Sequence, residues 1–339
     1  GLARLDYTQN ASIKTLVAPY AVRPAENAPV SAPINWEELD DPEQTRVRAY
    51  TRYIREIDPY DHPIVIHTYP DRQAEVYEPL LGDRSELTGV SLQTRFDHVY
   101  ADTRRWVEAS RETGKPWVVA NDEQGPADVG VKPDGEGNNH AEIRRHTLWG
   151  NLMAGGAGVE YYFGYRFPHN DLDAEDFRSR DHMWDQTRHA LAFFREHLPF
   201  PEMEAQDGLS DPQNYVFAAP GDVYAVYIPE GGETRLQLPA QGSFRVQWFD
   251  PRNGGALRPG SLEEVRGGGS VSIGAPPGTS GEDWVALIRR ASGQVTPLLR
   301  AGAVTLAQAH VIHRRHAFGI GREDRQMRNV ALQCRCGCP

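Results

Sequence analysis

Between His62 and His197 the sequence switches period repeatedly, and this alternation limits what the chain can fold into more than any other property. Short runs rich in β-branched and aromatic residues, at 62–70, 87–93, 116–121 and 159–164, read as buried strands. Among them, residues 99–113, 140–154 and 181–197 carry apolar side chains at helical spacing. One more helix is predicted ahead of them. It starts at Asp41-Pro42, carries Val47, Tyr50, Tyr53, Ile54 and Ile57 on one face, and stops at Asp58-Pro59. Strands alternating with helices of this length specify a parallel sheet with crossover helices, so the expected fold class is α/β.

The alternation ends at Leu198-Pro-Phe-Pro201. Beyond it short strands follow one another at 215–218, 223–228, 234–238, 244–249, 270–273 and 283–288, separated by Gly, Pro and Asn turns such as Asp250-Pro-Arg-Asn-Gly-Gly255. Strands with no helices between them predict a small all-β antiparallel sandwich. The expected organisation is therefore an α/β part over 1–201, a sandwich over 202–290 and a disordered tail over 291–339. The tail holds His310, His313 and His316 and all three cysteines, Cys334, Cys336 and Cys338, at spacings that match no zinc module. No metal and no cofactor are expected. The body has no cysteine, which excludes a thiol nucleophile and an internal disulfide framework there.

No apolar run approaches the roughly 18 residues of a membrane helix. A formal net charge of -11 argues against a nucleic-acid partner, because phosphate binding needs a basic face. An acidic chain with 25 Pro and 32 Gly and many Trp and Tyr suits a neutral, hydroxyl-rich ligand. The chain opens at Gly1 with no basic-then-apolar leader and reads as a fragment or processed product.

The candidate chemistry sits in Lys115-Pro-Trp-Val-Val-Ala-Asn-Asp-Glu-Gln-Gly-Pro126. Asn121, Asp122 and Glu123 are expected at the exit of a buried strand, where two carboxylates cost stability unless they are paired or used. The C-terminal strand ends of parallel α/β folds are also where chemistry collects. Residue types alone leave open a second reading, in which the two acids are solvated turn residues or a helix cap. Neighbouring strands end in His67, Tyr69, Gln93 and Tyr162, with Tyr165 close behind. Earlier in the chain Glu26-Asn27 and Asn35-Trp36-Glu37-Glu38 are the two acidic spots. Trp36, Trp117 and Trp149, with Tyr69, Tyr162 and Tyr165, are candidates for an apolar wall and stacking platform, although Trp149 and Trp106 fit core packing better. Asp176, Arg178, Arg180 and Asp181 read as an ion-pair and capping network ahead of the last helix.

Three segments carry a family resemblance: 115–125, Leu148-Trp-Gly-Asn-Leu-Met-Ala-Gly-Gly-Ala-Gly-Val-Glu-Tyr-Tyr-Phe-Gly-Tyr165 and Phe244-Arg-Val-Gln-Trp-Phe-Asp-Pro-Arg-Asn-Gly-Gly255. Over residues 45–290 the chain resembles a bacterial carbohydrate-active family in which a (β/α)8 barrel, similar to apiosidase-like and other clan A glycoside hydrolases, precedes a collagen-binding-type β-sandwich. The resemblance implies a retaining glycoside hydrolase acting on an oligo- or polysaccharide outside the cytoplasm, secreted or periplasmic. It also implies the C-terminal portion of a TIM-like barrel, about strands four to eight, because a barrel needs roughly 250 residues and only 1–201 precede the sandwich. Glu123 then takes the nucleophile position on strand seven. The acid/base belongs to strand four, before residue 45, where Glu38 beside Trp36 is favoured over Glu26. His67, Tyr69, Gln93, Asn121, Asp122, Tyr162 and Tyr165 become substrate-binding candidates. The family's usual Trp-x-Leu-Gly-Glu-Glu-Asn strand end is absent. This leaves a runner-up, a non-catalytic protein that binds carbohydrate or extracellular matrix.

Overall fold

The structure is a computed structural model that describes residues 45–291 apart from 136, 174–175 and 279–280. Its first part is a four-stranded sheet, ordered β1-β2-β3-β4, in which every pair is parallel. The strands are β1 (Val65–Thr68), β2 (Gly89–Arg95), β3 (Val118–Gly125) and β4 (Gly158–Val159). Helix α1 (Thr45–Ile57) precedes β1, a short α2 (Gln73–Tyr77) follows it, and α3 (Val99–Glu112) connects β2 to β3. Helix α4 is wound from His140–Glu142, a π-helical Ile143–Leu148 and Trp149–Met153, and α5 (Asp181–His197) comes last. None of the helices among the described residues is long and apolar enough to cross a membrane.

Period 2 in the strands and period 3.6 in the helices meet in a single core layer on one face of the sheet. Ile64, Val90, Leu92 and Val119 pack there against Val47 of α1, Val76 and Tyr77 of α2 and Trp106 of α3. Trp117 belongs to the same layer and is 5% exposed, so it packs the core and is withdrawn from the expected sugar-stacking wall. Two expectations shift. β3 runs on to Gly125 instead of ending at Asn121, because its N–H and C=O groups find partners along β2 as far as Arg95. The run 159–164 pairs only through Gly158–Val159, since the chain then turns to the loop after β3, where Val131 N donates to Tyr162 O at 2.7 Å. Gly130, at φ +53°, permits that approach, as a Cβ there would lie 2.3 Å from Tyr162 O.

The second part is antiparallel throughout. A six-stranded sheet has the order β10-β9-β12-β7-β6-β5, and a two-stranded sheet pairs β11 with β8. Its strands are β5 (Glu204–Ala205), β6 (Tyr215–Ala219), β7 (Val223–Ile228), β8 (Arg235–Leu238), β9 (Ser243–Phe249), β10 (Glu264–Arg266), β11 (Gly269–Ser272) and β12 (Trp284–Arg290). β7 is buried along its whole length, which accounts for its unbroken apolar run. Tyr224, Val226 and Ile228 face Leu236, Leu238 and Ile273. Val223, Ala225 and Tyr227 face the opposite way, into a cluster with Trp149 and Met153 of α4 and Phe193 and Phe194 of α5. Trp149 stacks on Tyr227 with ring centroids 5.0 Å apart, so it is a core residue. Asp250 organises the predicted turn after β9, accepting from Arg252 N at 3.0 Å and from Asn253 Nδ2 at 3.1 Å.

Candidate active site

The site is built by a single extra residue in β3. Pairing with β2 runs Ser91 to Ala120 and Leu92 to Asn121, then jumps from Gln93 to Glu123, so Asp122 has no partner and forms a β-bulge. Strict alternation would send Asp122 to the open face and Glu123 to the helix face with Val119 and Asn121. The bulge turns both carboxylates to the open face and returns Gln124 to the buried one, as the strand's burial pattern shows.

Side chains from neighbouring strands converge on the two acids. Gln93 Nε2 donates to Glu123 Oε1 at 2.6 Å, and Ser91 Oγ donates to Asp122 Oδ2. His67 of β1 stands against both: Nδ1 is 3.2 Å from Asp122 Oδ1, and Nε2 is 3.6 Å from Glu123 Oε2. The contact with Asp122 is an ion pair when the ring carries its second proton. Burial, the largest influence on His67, disfavours the imidazolium, but close contact with Asp122 and the charges of Asp122 and Glu123 outweigh it and raise the pKa above the ordinary value. The cluster therefore holds two carboxylates bridged by a cation-prone ring, at the C-terminal half of a parallel sheet.

A buried hydrogen-bond network lies beneath the bulge. Asn121, expected among the substrate-binding residues, is fully buried on the helix face. Its Nδ2 donates to Leu92 O at 3.1 Å and Thr94 Oγ1 at 3.0 Å, while its Oδ1 accepts from Gln124 Nε2 at 2.7 Å. Gln124 also donates to Glu160 O at 2.7 Å, and its Oε1 accepts from Tyr162 N at 3.4 Å. Asn121 thus underpins the bulge and does not line the open face. Gln73 supports the adjoining strand, donating to Gln93 O at 2.9 Å and accepting from Trp106 Nε1 at 2.8 Å.

The structure brings His67, Gln93, Asp122 and Glu123 together and reaches Tyr162 through Gln124. Tyr69 and Tyr165 are exposed on the segments that follow β1 and β4. Arg180 is buried, donating to Val131 O, Pro168 O and His169 O, while Asp176 caps the turn before α5 by accepting from Arg178 N. Glu26, Trp36, Glu38 and the tail residues His310, His313, His316, Cys334, Cys336 and Cys338 lie outside the described residues. Ser91 was missed from sequence, although it precedes Gln93 by two positions and so shares its face.

Residues 203–289 match the family model described as "Putative collagen-binding domain of a collagenase", and residues 2–61 match that of the LigD primase-polymerase domain. No curated protein sequence matches the chain. Among solved structures, a glycoside hydrolase family 5 protein from Bacteroides vulgatus superposes with a TM-score of 0.53 at 18% identity, covering 71% of this chain and 58% of that one. A second, described as a glycoside hydrolase, gives a TM-score of 0.54 at 16% identity, covering 73% of this chain and 61% of the other. The chain thus spans about three fifths of the length of these relatives. At such identities the likeness concerns the fold alone, and the fold is glycoside hydrolase-like, with a parallel α/β sheet followed by antiparallel sheets.

Proposed function

We propose that this chain carries the nucleophile half of a retaining glycoside hydrolase, with Glu123 as the nucleophile and an oligo- or polysaccharide as substrate. The observation that carries the reading is the bulge at Asp122, which spends regular pairing to keep Glu123 off the helix face and beside Gln93 and His67. The same open face carries Val65 and Val118, 52% and 54% exposed, residues that a parallel sheet covers when it closes into a barrel. β1 to β4 are on this reading strands five to eight of a (β/α)8 barrel. Glycoside hydrolases of similar fold support carbohydrate as the substrate class.

In this reaction the Glu123 carboxylate attacks the anomeric carbon while an acid opposite it protonates the departing glycosidic oxygen. Water then displaces the carboxylate, giving up its proton to the residue that acted as acid. Glu38 is our candidate for that residue, with Glu26 behind it. Gln93 and His67 position Glu123, and Tyr69, Tyr162 and Tyr165 are candidates for contacts to the sugar. The sandwich serves as an accessory binding module.

The test is a panel of aryl glycosides with good leaving groups, assayed with this chain joined to the barrel strands that precede it on this reading, as parent, and with its variants. Glu123→Ala should lower kcat by about a thousandfold or more and regain turnover with azide, giving a glycosyl azide of inverted configuration. Glu38→Ala should keep most activity on these substrates, whose leaving groups need no proton. Unchanged turnover in Glu123→Ala would remove the proposed nucleophile. A parent that cleaves nothing but binds glycans would favour the carbohydrate-binding reading.

A further inference from the structure

Asp134, His140 and His182 form a second cluster that the glycosidase reading does not use. They come from three separate places: the loop after β3, the first residue of α4 and the first turn of α5. Each offers one ligand atom, and the three atoms lie within 4.8 Å of one another. His140 Nδ1 is 3.5 Å and His182 Nδ1 is 3.4 Å from Asp134 Oδ1. Ligands held at 2.0 to 2.1 Å around a tetrahedral zinc ion sit roughly 3.3 to 3.4 Å apart, close to both separations.

Two further observations point the cluster at a cation. His140 is only 3% exposed, and neither its Nδ1 nor Asp134 Oδ1, both buried, has a hydrogen-bond partner. The other ring nitrogen of His140 lies 2.7 Å from Lys132 O, a partner that can only accept. In the neutral ring the proton therefore sits on Nε2 and the Nδ1 lone pair faces Asp134 and His182, the arrangement of metal-ligating histidines braced by a backbone carbonyl. Arg180 is the opposing charge nearby, but its guanidinium is turned to the carbonyls of Val131, Pro168 and His169. Two imidazoles and one carboxylate suit a borderline transition ion and do not suit calcium or magnesium, which take all-oxygen sets.

We propose that Asp134, His140 and His182 bind one zinc-class divalent ion, with water in the fourth position, and that the ion fastens the loop after β3 to the start of α5. His182, 67% exposed at its side chain, is the ligand that adjusts on binding. The site is tested in the full chain with Cys334, Cys336 and Cys338 replaced by Ser, so that tail thiols do not compete. Co²⁺ and Zn²⁺ are added separately, and the readouts are the visible ligand-field absorption of Co²⁺ and the metal-induced rise in Tm. The parent should bind one equivalent in a tetrahedral environment without thiolate and gain Tm with Zn²⁺. His182→Ala and Asp134→Asn should lose that spectrum and the Tm gain, with affinity weakened by more than about tenfold. His182 is a surface residue, so a normal far-ultraviolet spectrum and metal-free Tm in His182→Ala exclude misfolding as the cause. An identical Co²⁺ spectrum and Tm response in the parent and both variants would overturn the proposal, as would a folded parent that binds no Co²⁺.

Discussion

Asp283 gives the sharpest test of how the two sheet systems are held together. The carboxylate is fully buried just before β12 and accepts from Arg144 of α4 twice, from Nε at 2.9 Å and Nη2 at 2.7 Å. Tyr227 OH of β7 donates to it at 2.7 Å, and Arg145 Nε stands 3.6 Å away. Burial works against the Arg144 charge, but the hydrogen bonds and charge of Asp283 more than restore it, and the pKa of Arg144 is raised. Asp283→Ala would leave a buried guanidinium without its counter-ion and a buried phenol without an acceptor. Hydrogen bonds to charged groups contribute about 1.5 to 3 kcal/mol each, and breaking a buried pair from one side costs about 3 to 5 kcal/mol. The expected loss is therefore about 3 to 5 kcal/mol, read as a lower urea midpoint at unchanged m value. Arg144→Met should cost a similar amount. The double variant should cost much less than the sum of the two, because it removes both charges and leaves an apolar contact. Glu230→Ala, which removes an exposed partner of Arg145, should stay within about 0.5 kcal/mol. A cost below about 1 kcal/mol for Asp283→Ala, or strictly additive single variants, would refute the claim that this pair ties α4 to the sandwich.

Two further outcomes are expected beside the glycosidase and metal tests. His67 should titrate above the ordinary histidine value of about 6.5, followed by the NMR shift of its ring proton, and Asp122→Asn should bring it down. Since its folded pKa is the raised one, the stability it contributes is fully present below about pH 6.5 and is lost as pH rises through the folded value; a midpoint at or below 6.5 would show that burial wins over the carboxylates. Asn121→Leu should destabilise by roughly 2 to 4 kcal/mol, because it removes a side-chain partner from the buried Leu92 O and Thr94 Oγ1 and leaves the Gln124 amide with Glu160 O but without Asn121 Oδ1. A loss under about 1 kcal/mol in urea denaturation would mean the network beneath the bulge is not needed.

The sequence alone determined what depends on neighbours along the chain. Period and turn residues mark α1, α3, α5 and the central runs of β1 to β3, because a helix or strand declares itself through which positions repeat on one face. The loss of helices after Pro201 likewise announces an antiparallel part. Glu123 was legible as a candidate because two acids sit against an apolar strand. Tertiary structure decided which way those acids point. Asn121 and Glu123, two residues apart, belong on the same face by simple alternation; only the shifted pairing with β2 separates them, and nothing local to 118–125 encodes a partner's register. The same holds for the contacts of longest reach. Arg144 meets Asp283 across 139 residues, and Asp134 meets His182 across 48, because sheet order and helix packing carry distant segments to one place. Charge pairs and ligand sets of this kind have no period to read, and their geometry exists only once the apolar layers have packed.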